Sequence, residues 1–278
     1  HHGGLHRRRH YGCLGFRDGE KLMELKGIKD TGIIVTGAAQ GIGEGVARHL
    51  ASGGARLALI DRQADQVAAM ATELGAYGFA ADVTDEASVE TAIAGAAAAL
   101  GTIDGLVNIA GVQHLGPLIE QSAEDFDAHF NVNLRGTWLV TRNVARHMTE
   151  NKSGSIVTVS SNAARVPRVR QGAYCASKAG VSHLMRVFAL ELGTAGIRVN
   201  TVAPGATETP MIRRMMEGMG FGEAMLKGDL DNFRTGVPLG RIAQVDDVAD
   251  AVTFLLSDQS RYITMHEMVV DGGATLGV

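Results

Sequence analysis

Short apolar runs rich in β-branched residues alternate along this chain with longer stretches of helical composition. The runs predict strands over Gly32–Thr36, Arg56–Asp61, Ala76–Ala81, Gly105–Asn108, Ser155–Ser160, Ile197–Ala203 and Met268–Asp271. The stretches between them predict helices over Gly43–Ser52, Ala64–Leu74, Glu86–Leu100, Phe126–Thr149, Tyr174–Gly193 and Asp246–Ser257. Asp85-Glu86 and Asp246-Asp247 place carboxylates at two predicted helix starts, where the helix dipole favours them. Such alternation predicts an α/β fold, a doubly wound parallel sheet of about seven strands with helices on both faces. The segment Pro210–Pro238 breaks the pattern. It is rich in methionine and glycine with mixed charge, and it reads as an insertion near the carboxyl ends of the strands, a candidate lid.

The chain has 278 residues and is 45% hydrophobic, enough for one full core. No Pro/Ser-rich linker and no repeat interrupts it, so residues 23–278 read as a single domain. The first 22 residues differ in kind. They carry His1, His2, His6, His10 and the triplet Arg7-Arg8-Arg9, with no apolar stretch behind the arginines. They read as a tag or a mis-assigned N-terminal extension ahead of Met23, expected to be mobile, and the histidines lack the spacing of metal ligands. The whole chain has a formal charge of −4, with no long run of one sign past residue 22, so neither nucleic acid nor membrane is expected as a partner. No apolar run reaches the roughly 18 residues that a bilayer span needs. Two cysteines, Cys13 and Cys175, make no disulfide framework, and a cytoplasmic setting is expected.

The first candidate chemistry follows the first predicted strand, in Thr36-Gly37-Ala38-Ala39-Gln40-Gly41-Ile42-Gly43. Gly37 permits a tight turn, Gly41 lets backbone approach a pyrophosphate, and Gly43 allows the next helix to pack closely on the sheet. The free N–H groups of that helix start offer a phosphate site. Without a ligand the same residues would be an ordinary glycine-rich turn. Asp61, at the end of the second predicted strand, argues for the ligand, because an acid there can accept both ribose hydroxyls of an adenosine. It would repel a 2′-phosphate, so NAD is expected over NADP, although adjacent Arg62 offers partial compensation. Asp82 can meet an adenine amino group and Val83 can pack on its ring. The stretch Asp82–Asp85 can equally be a turn that caps the next helix.

The second candidate is Tyr174 with Lys178, one helical turn apart on one face. A phenol with a pKa of about 10 is a weak base at neutral pH, but a nearby ammonium stabilises the phenolate. Tyr174 could then take a proton from an alcohol while hydride leaves the carbinol carbon. Ser161, past a strand end, could hold the substrate oxygen. Asn133 is a poor helix former inside a predicted long helix, and its amide could hold a water joined to Lys178. The bland alternatives are an exposed helix pair for Tyr174 and Lys178 and a helix irregularity at Asn133.

Taken together these residues resemble the short-chain dehydrogenase/reductase family, over nearly everything from Leu25 to Val278. The landmarks are Thr36-Gly37-x-x-x-Gly41-x-Gly43, Asn108-Ile109-Ala110-Gly111, Asn133, Ser161, Tyr174-x-x-x-Lys178 and Pro204-Gly205. The resemblance implies a Rossmann-type fold, an Asn133, Ser161, Tyr174, Lys178 tetrad, and a second role for Lys178 on the nicotinamide ribose. It also implies cofactor contacts from Gln40, Ile42, Asn108, Ala110, Gly111, Pro204, Gly205, Thr207 and Thr209. Ile109 departs from the asparagine usual there; because Asn108 is retained, little loss is expected. Related proteins are usually homotetramers built through two interfaces. Here Phe126–Thr149 with Tyr174–Gly193 could supply one, and the C-terminal strand region the other.

Longer stretches resemble one subfamily, which oxidises an anionic cyclohexadiene diol to a catechol for siderophore synthesis. They are Ser161–Arg168, Pro204–Met211, Phe233–Ala243 and the ending Tyr262–Gly277. That likeness implies a small-molecule substrate with a carboxylate, which needs a cation. Arg168 is the first candidate, since guanidinium matches carboxylate bidentately, with Arg165 and Arg170 as rivals. All three could instead serve subunit contacts or solvent. His114, where the subfamily commonly has an arginine nearby, is a candidate for the carboxylate or a hydroxyl, and Met211 is a candidate substrate contact. A dehydrogenase acting on another cyclic alcohol, polyol, sugar or 3-oxoacyl substrate is the alternative within the family; a non-catalytic binding protein of the same fold is the alternative outside it.

Overall fold

The computed structural model describes residues 25–213 and 221–278. The N-terminal extension and Met23 lie outside the described residues. The strands are β1 (Gly32–Thr36), β2 (Arg56–Asp61), β3 (Tyr77–Ala80), β4 (Gly105–Asn108), β5 (Gly154–Val159), β6 (Ile197–Pro204) and β7 (Glu267–Val270). They form one seven-stranded sheet in the order β3-β2-β1-β4-β5-β6-β7, and every adjacent pair is parallel. Parallel strands need crossover helices on the faces, so the middle strands are buried on both sides. β1 (Gly-Ile-Ile-Val-Thr) and β4 (Gly-Leu-Val-Asn) are accordingly buried along their whole length.

Helices α1 (Gly41–Ser52), α2 (Ala64–Leu74) and α8 (Val245–Leu256) supply one apolar layer, with Val46, Leu50, Val67, Val248, Val252 and Leu255 packed against Val35, Leu59 and Val157. Helices α3 (Glu86–Leu100), α5 (Thr137–Asn151) and α6 (Gly172–Leu192) supply the other, with Val89, Ile93, Leu139, Val144, Val181 and Met185 against Ile34, Leu106, Ile156 and Val199. The sheet order reverses between β1 and β4. In open α/β sheets that reversal opens a crevice at the carboxyl ends of the strands. No helix among the described residues is long and apolar enough to cross a membrane.

Most predicted elements are observed within a residue or two. The long helix predicted over Phe126–Thr149 is not one α-helix. It begins earlier, as α4 (Ala123–Ala128), whose cap Ser122 accepts the Asp125 N–H at 3.1 Å. A π-helical stretch, His129–Gly136, then leads into α5. The wider π turn is held by tertiary contacts: His129, Asn133 and Gly136 are buried on one side of it. A Cβ on Gly136 would lie 2.8 Å from a Val83 methyl, so this backbone sits directly on the loop after β3. In the predicted insertion, Phe221–Lys227 forms the short helix α7, and an antiparallel bridge follows between Asp229 and Arg234.

Candidate active site

A cavity of about 610 Å³ opens at the reversal point, large enough for an organic ligand. Its floor is the turn after β1. Gly37 has φ +67°, and a Cβ there would meet the Ala110 backbone nitrogen at 2.7 Å, so the turns after β1 and β4 touch. The Thr36 hydroxyl fastens them, accepting from Ile109 N at 3.1 Å and from Ala110 N at 3.4 Å. Backbone groups thus hold the loop whatever side chain occupies position 109. Gly43 does not line the cavity; a Cβ there would fall 1.9 Å from the Gly37 carbonyl oxygen, so glycine lets the first turn of α1 seat under the loop. The start of α1 presents amide groups and dipole to this space, as a pyrophosphate requires.

Gln40, Gly41, Ile42, Asp61, Arg62, Asp82 and Val83 line one end of the cavity. Asp61 is buried, with Oδ2 accepting from Ala39 N and Oδ1 from Gln63 N, both at 3.0 Å. Oδ1 also accepts from Gln63 Nε2 at 3.5 Å; these bonds fix the carboxylate and leave Oδ2 a lone pair for a ribose hydroxyl. Arg62 is exposed beside it. Asp82 Oδ1 accepts from the backbone and hydroxyl of Thr84, both at 2.8 Å. Ala110, Gly111, Pro204, Gly205, Thr207 and Thr209 line the middle. Asn108 is a correction. Its Nδ2 donates to Thr141 Oγ1 at 3.0 Å and Thr158 Oγ1 at 3.1 Å, behind the cavity wall, where it ties β4 to α5 and β5.

Ser161, Tyr174 and Lys178 meet at the other end. Ser161 follows β5 at the start of a 3₁₀ turn and accepts the Ala163 N–H at 3.1 Å, leaving its own proton free to donate. Part of the Tyr174 ring faces the open cleft, yet enclosing protein raises its pKa, opposed by a hydrogen bond from Ser161. Lys178 Nζ lies 5.9 Å from the Tyr174 ring centre and donates to the Val159 carbonyl at 3.0 Å. Burial lowers its pKa to about 8.

Asn133 is placed differently from the sequence expectation. It is fully buried, its Oδ1 accepts Val112 N at 2.8 Å, and its Nδ2 donates to Val112 O and Ser177 Oγ, both at 3.0 Å. No amide hydrogen is left for a water on Lys178. The side chain pins the loop after β4 to α6, and its backbone carbonyl accepts the Thr137 hydroxyl at 2.7 Å.

His114 is a second correction. It is outside the cavity lining, and its Nδ1 sits 2.7 Å from Asp125 Oδ1 at the surface. The neighbour that does line the cavity is Gln113. The His114 N–H donates at 3.0 Å to Nε2 of buried His129, whose Nδ1 donates to the Asp125 carbonyl at 2.6 Å. Burial lowers the His129 pKa, and those two bonds fit the neutral ring.

Of the three arginines, Arg165 pairs with buried Glu267 at 2.8 Å, and Arg170 is exposed outside the cavity. Arg168 lines the cavity, and its Nη2 is buried without a hydrogen-bond partner. Met211 lines the same end, with Met225 on α7 and Arg234 beyond it, neither of which the sequence marks as a site residue. Arg234 falls within Phe233–Ala243, but no local sequence pattern shows that position 234 returns to the cavity lined by position 168.

A family model described as enoyl-(acyl carrier protein) reductase matches residues 37–275. The 2,3-dihydro-2,3-dihydroxybenzoate dehydrogenase of Bacillus subtilis is 45% identical over 261 residues, 92% of this chain and 100% of that protein. The D-threitol dehydrogenase of Mycolicibacterium smegmatis is 41% identical over 87% of this chain and 92% of that one. Among solved structures, 3-ketoacyl-(acyl-carrier-protein) reductase from Brucella melitensis complexed with NADH superposes with a TM-score of 0.81 at 34% identity, covering 89% of this chain and 99% of that one. With this fold, this glycine turn and these matches, the chain belongs to the short-chain dehydrogenase/reductase family and is an oxidoreductase acting on CH–OH groups with a nicotinamide cofactor.

Proposed function

We propose that the protein oxidises 2,3-dihydro-2,3-dihydroxybenzoate to 2,3-dihydroxybenzoate with NAD, as a step in making a catechol siderophore. The observation that carries this reading is Arg168, whose guanidinium reaches into the cavity that holds Tyr174 and keeps a buried, unpartnered Nη2. A buried donor without a partner costs free energy, and a substrate carboxylate would satisfy it with a charge-assisted bond. The likeness to the Bacillus subtilis enzyme supports the same substrate. Asp61, through its fixed carboxylate, favours a free 2′-hydroxyl and hence NAD over NADP.

In this reading the Ser161 hydroxyl donates to the oxygen of the reacting carbinol. Tyr174 removes the hydroxyl proton, and the Lys178 ammonium stabilises the phenolate that must form first. A nicotinamide bound along the glycine turn would supply the hydride acceptor. The ketone that results tautomerises to a catechol, and aromatisation draws the oxidation forward. Asn133 acts by position, holding the Val112 loop against α6. The exposed Val187 and Leu190 on α6 support a helix-to-helix subunit contact within a homotetramer, which sedimentation would test.

Arg168→Ala tests the substrate assignment. It should raise KM for the carboxylated dihydrodiol roughly 10- to 100-fold more than for the diol lacking the carboxylate. Equal effects on both would remove Arg168 from carboxylate binding. The D-threitol relative motivates running neutral polyols in the same assay, and turnover confined to these would replace the proposed substrate.

A further inference from the structure

Arg168 shares its cavity with a second guanidinium. Arg234 is half-buried and lines the same cavity, so the two cations share one partly enclosed space and repel. Burial and then this repulsion both lower the Arg234 pKa, though a guanidinium stays charged. Two like charges in a partly desolvated cavity are unfavourable unless an anion lies between them.

The nearby acids offset them only in part, because their oxygens are engaged by other donors and they make no ion pair to either guanidinium. Asp271, which acts on Arg168, is bonded through Oδ2 to Asn162 Nδ2 at 3.3 Å and through Oδ1 to Gly273 N at 2.9 Å. Asp229, which acts on Arg234, caps its own turn, taking Asn232 Nδ2 at 2.6 Å and Asp231 N at 3.1 Å.

The two arginines also come from different parts of the chain. Arg168 lies between β5 and α6. Arg234 lies on the segment after α7, where Asp229 and Arg234 exchange two backbone bonds of 2.8 Å. The neighbouring Thr235 hydroxyl is tied to the Ala274 carbonyl at 2.9 Å. This backbone holds Arg234 on a short, braced turn.

We propose that Arg234 and Arg168 form a two-guanidinium clamp for a single planar carboxylate, with Arg234 as a specificity-determining residue supplied by the turn after α7. This rests on the dihydrodiol reading only for the identity of the acid. A carboxylate between the two satisfies the buried Nη2 and cancels the repulsion. A neutral polyol does neither, so the clamp rejects it by leaving the repulsion and the buried Nη2 in place.

The test measures calorimetric binding of salicylate, and of phenol as its neutral counterpart, to the full chain with NAD present. Wild-type protein should bind salicylate more tightly than phenol. Arg234→Gln should weaken salicylate roughly 10- to 100-fold while phenol and NAD stay within about twofold. Arg234→Lys, which keeps the cation and guards against folding damage by glutamine, should lie between the two. Salicylate binding unmoved by either variant, salicylate and phenol weakened alike, or wild type that prefers phenol would each overturn the clamp. If no dihydrodiol is turned over and salicylate binding still depends on Arg234, the substrate reading falls and the clamp stands.

Discussion

Asn133→Ala probes whether the asparagine works by holding a loop. The side chain is fully buried and makes hydrogen bonds of 2.8, 3.0 and 3.0 Å to Val112 N, Val112 O and Ser177 Oγ. At about 1 kcal/mol net for each bond, with partial rescue by water at half-buried Val112, the loss is about 2–3 kcal/mol. For a chain of this size that lowers the melting temperature by roughly 5–12 °C. The loop it releases carries Ala110 and Gly111 into the cavity, so NAD binding should weaken as well. Asn143→Ala is the internal control. That asparagine donates one bond, 2.9 Å, to the Leu139 carbonyl of its own helix, and alanine recovers part of the loss through helix propensity. Scanning calorimetry and NAD titration on both variants decide the matter. A wild-type melting temperature and wild-type NAD affinity for Asn133→Ala, or equal losses in the two variants, would refute the positioning role.

Other outcomes follow from the same geometry. Tyr174→Phe should abolish steady-state turnover while NAD binding stays within about twofold, a loss of at least 1,000-fold being expected for a proton acceptor; normal turnover would sink the base assignment. Asp61→Ala should lower the preference for NAD over NADP by about tenfold, since the carboxylate that repels a 2′-phosphate is gone, and an unchanged ratio of kcat/KM values would show that Asp61 is not the ribose partner. The Lys178 ammonium is fully present below about pH 8 and is lost as pH rises through that value. Because that cation favours phenolate, Lys178→Met should move the rising limb of the pH profile for oxidation about one unit or more to the alkaline side. A limb that stays in place would mean Lys178 does not assist Tyr174.

The sheet was legible because its middle strands are buried on both faces and so read as continuous β-branched runs bounded by turn residues. The glycine turn was legible because three glycines in that spacing answer to steric demands, the Gly37 oxygen against position 43 among them. The π-helical stretch was not, since its extra residue is tolerated through contacts from Val112, Ser177 and Val83, far away in the chain. His114 shows the same limit: adjacency to the cofactor loop suggested the cavity, but Asp125 and His129 hold its side chain and backbone outside it. Arg234 is the converse, a residue after α7 that lines the cavity only because the chain folds back there.

The central claim is that this cavity couples hydride removal to catechol formation on a carboxylated diol. The most direct measurement mixes the purified protein with NAD and 2,3-dihydro-2,3-dihydroxybenzoate and follows NADH absorbance and catechol fluorescence together. Both signals should rise in equal amounts, and Tyr174→Phe should abolish both. NAD bound, with neither signal from the wild-type protein, would contradict it.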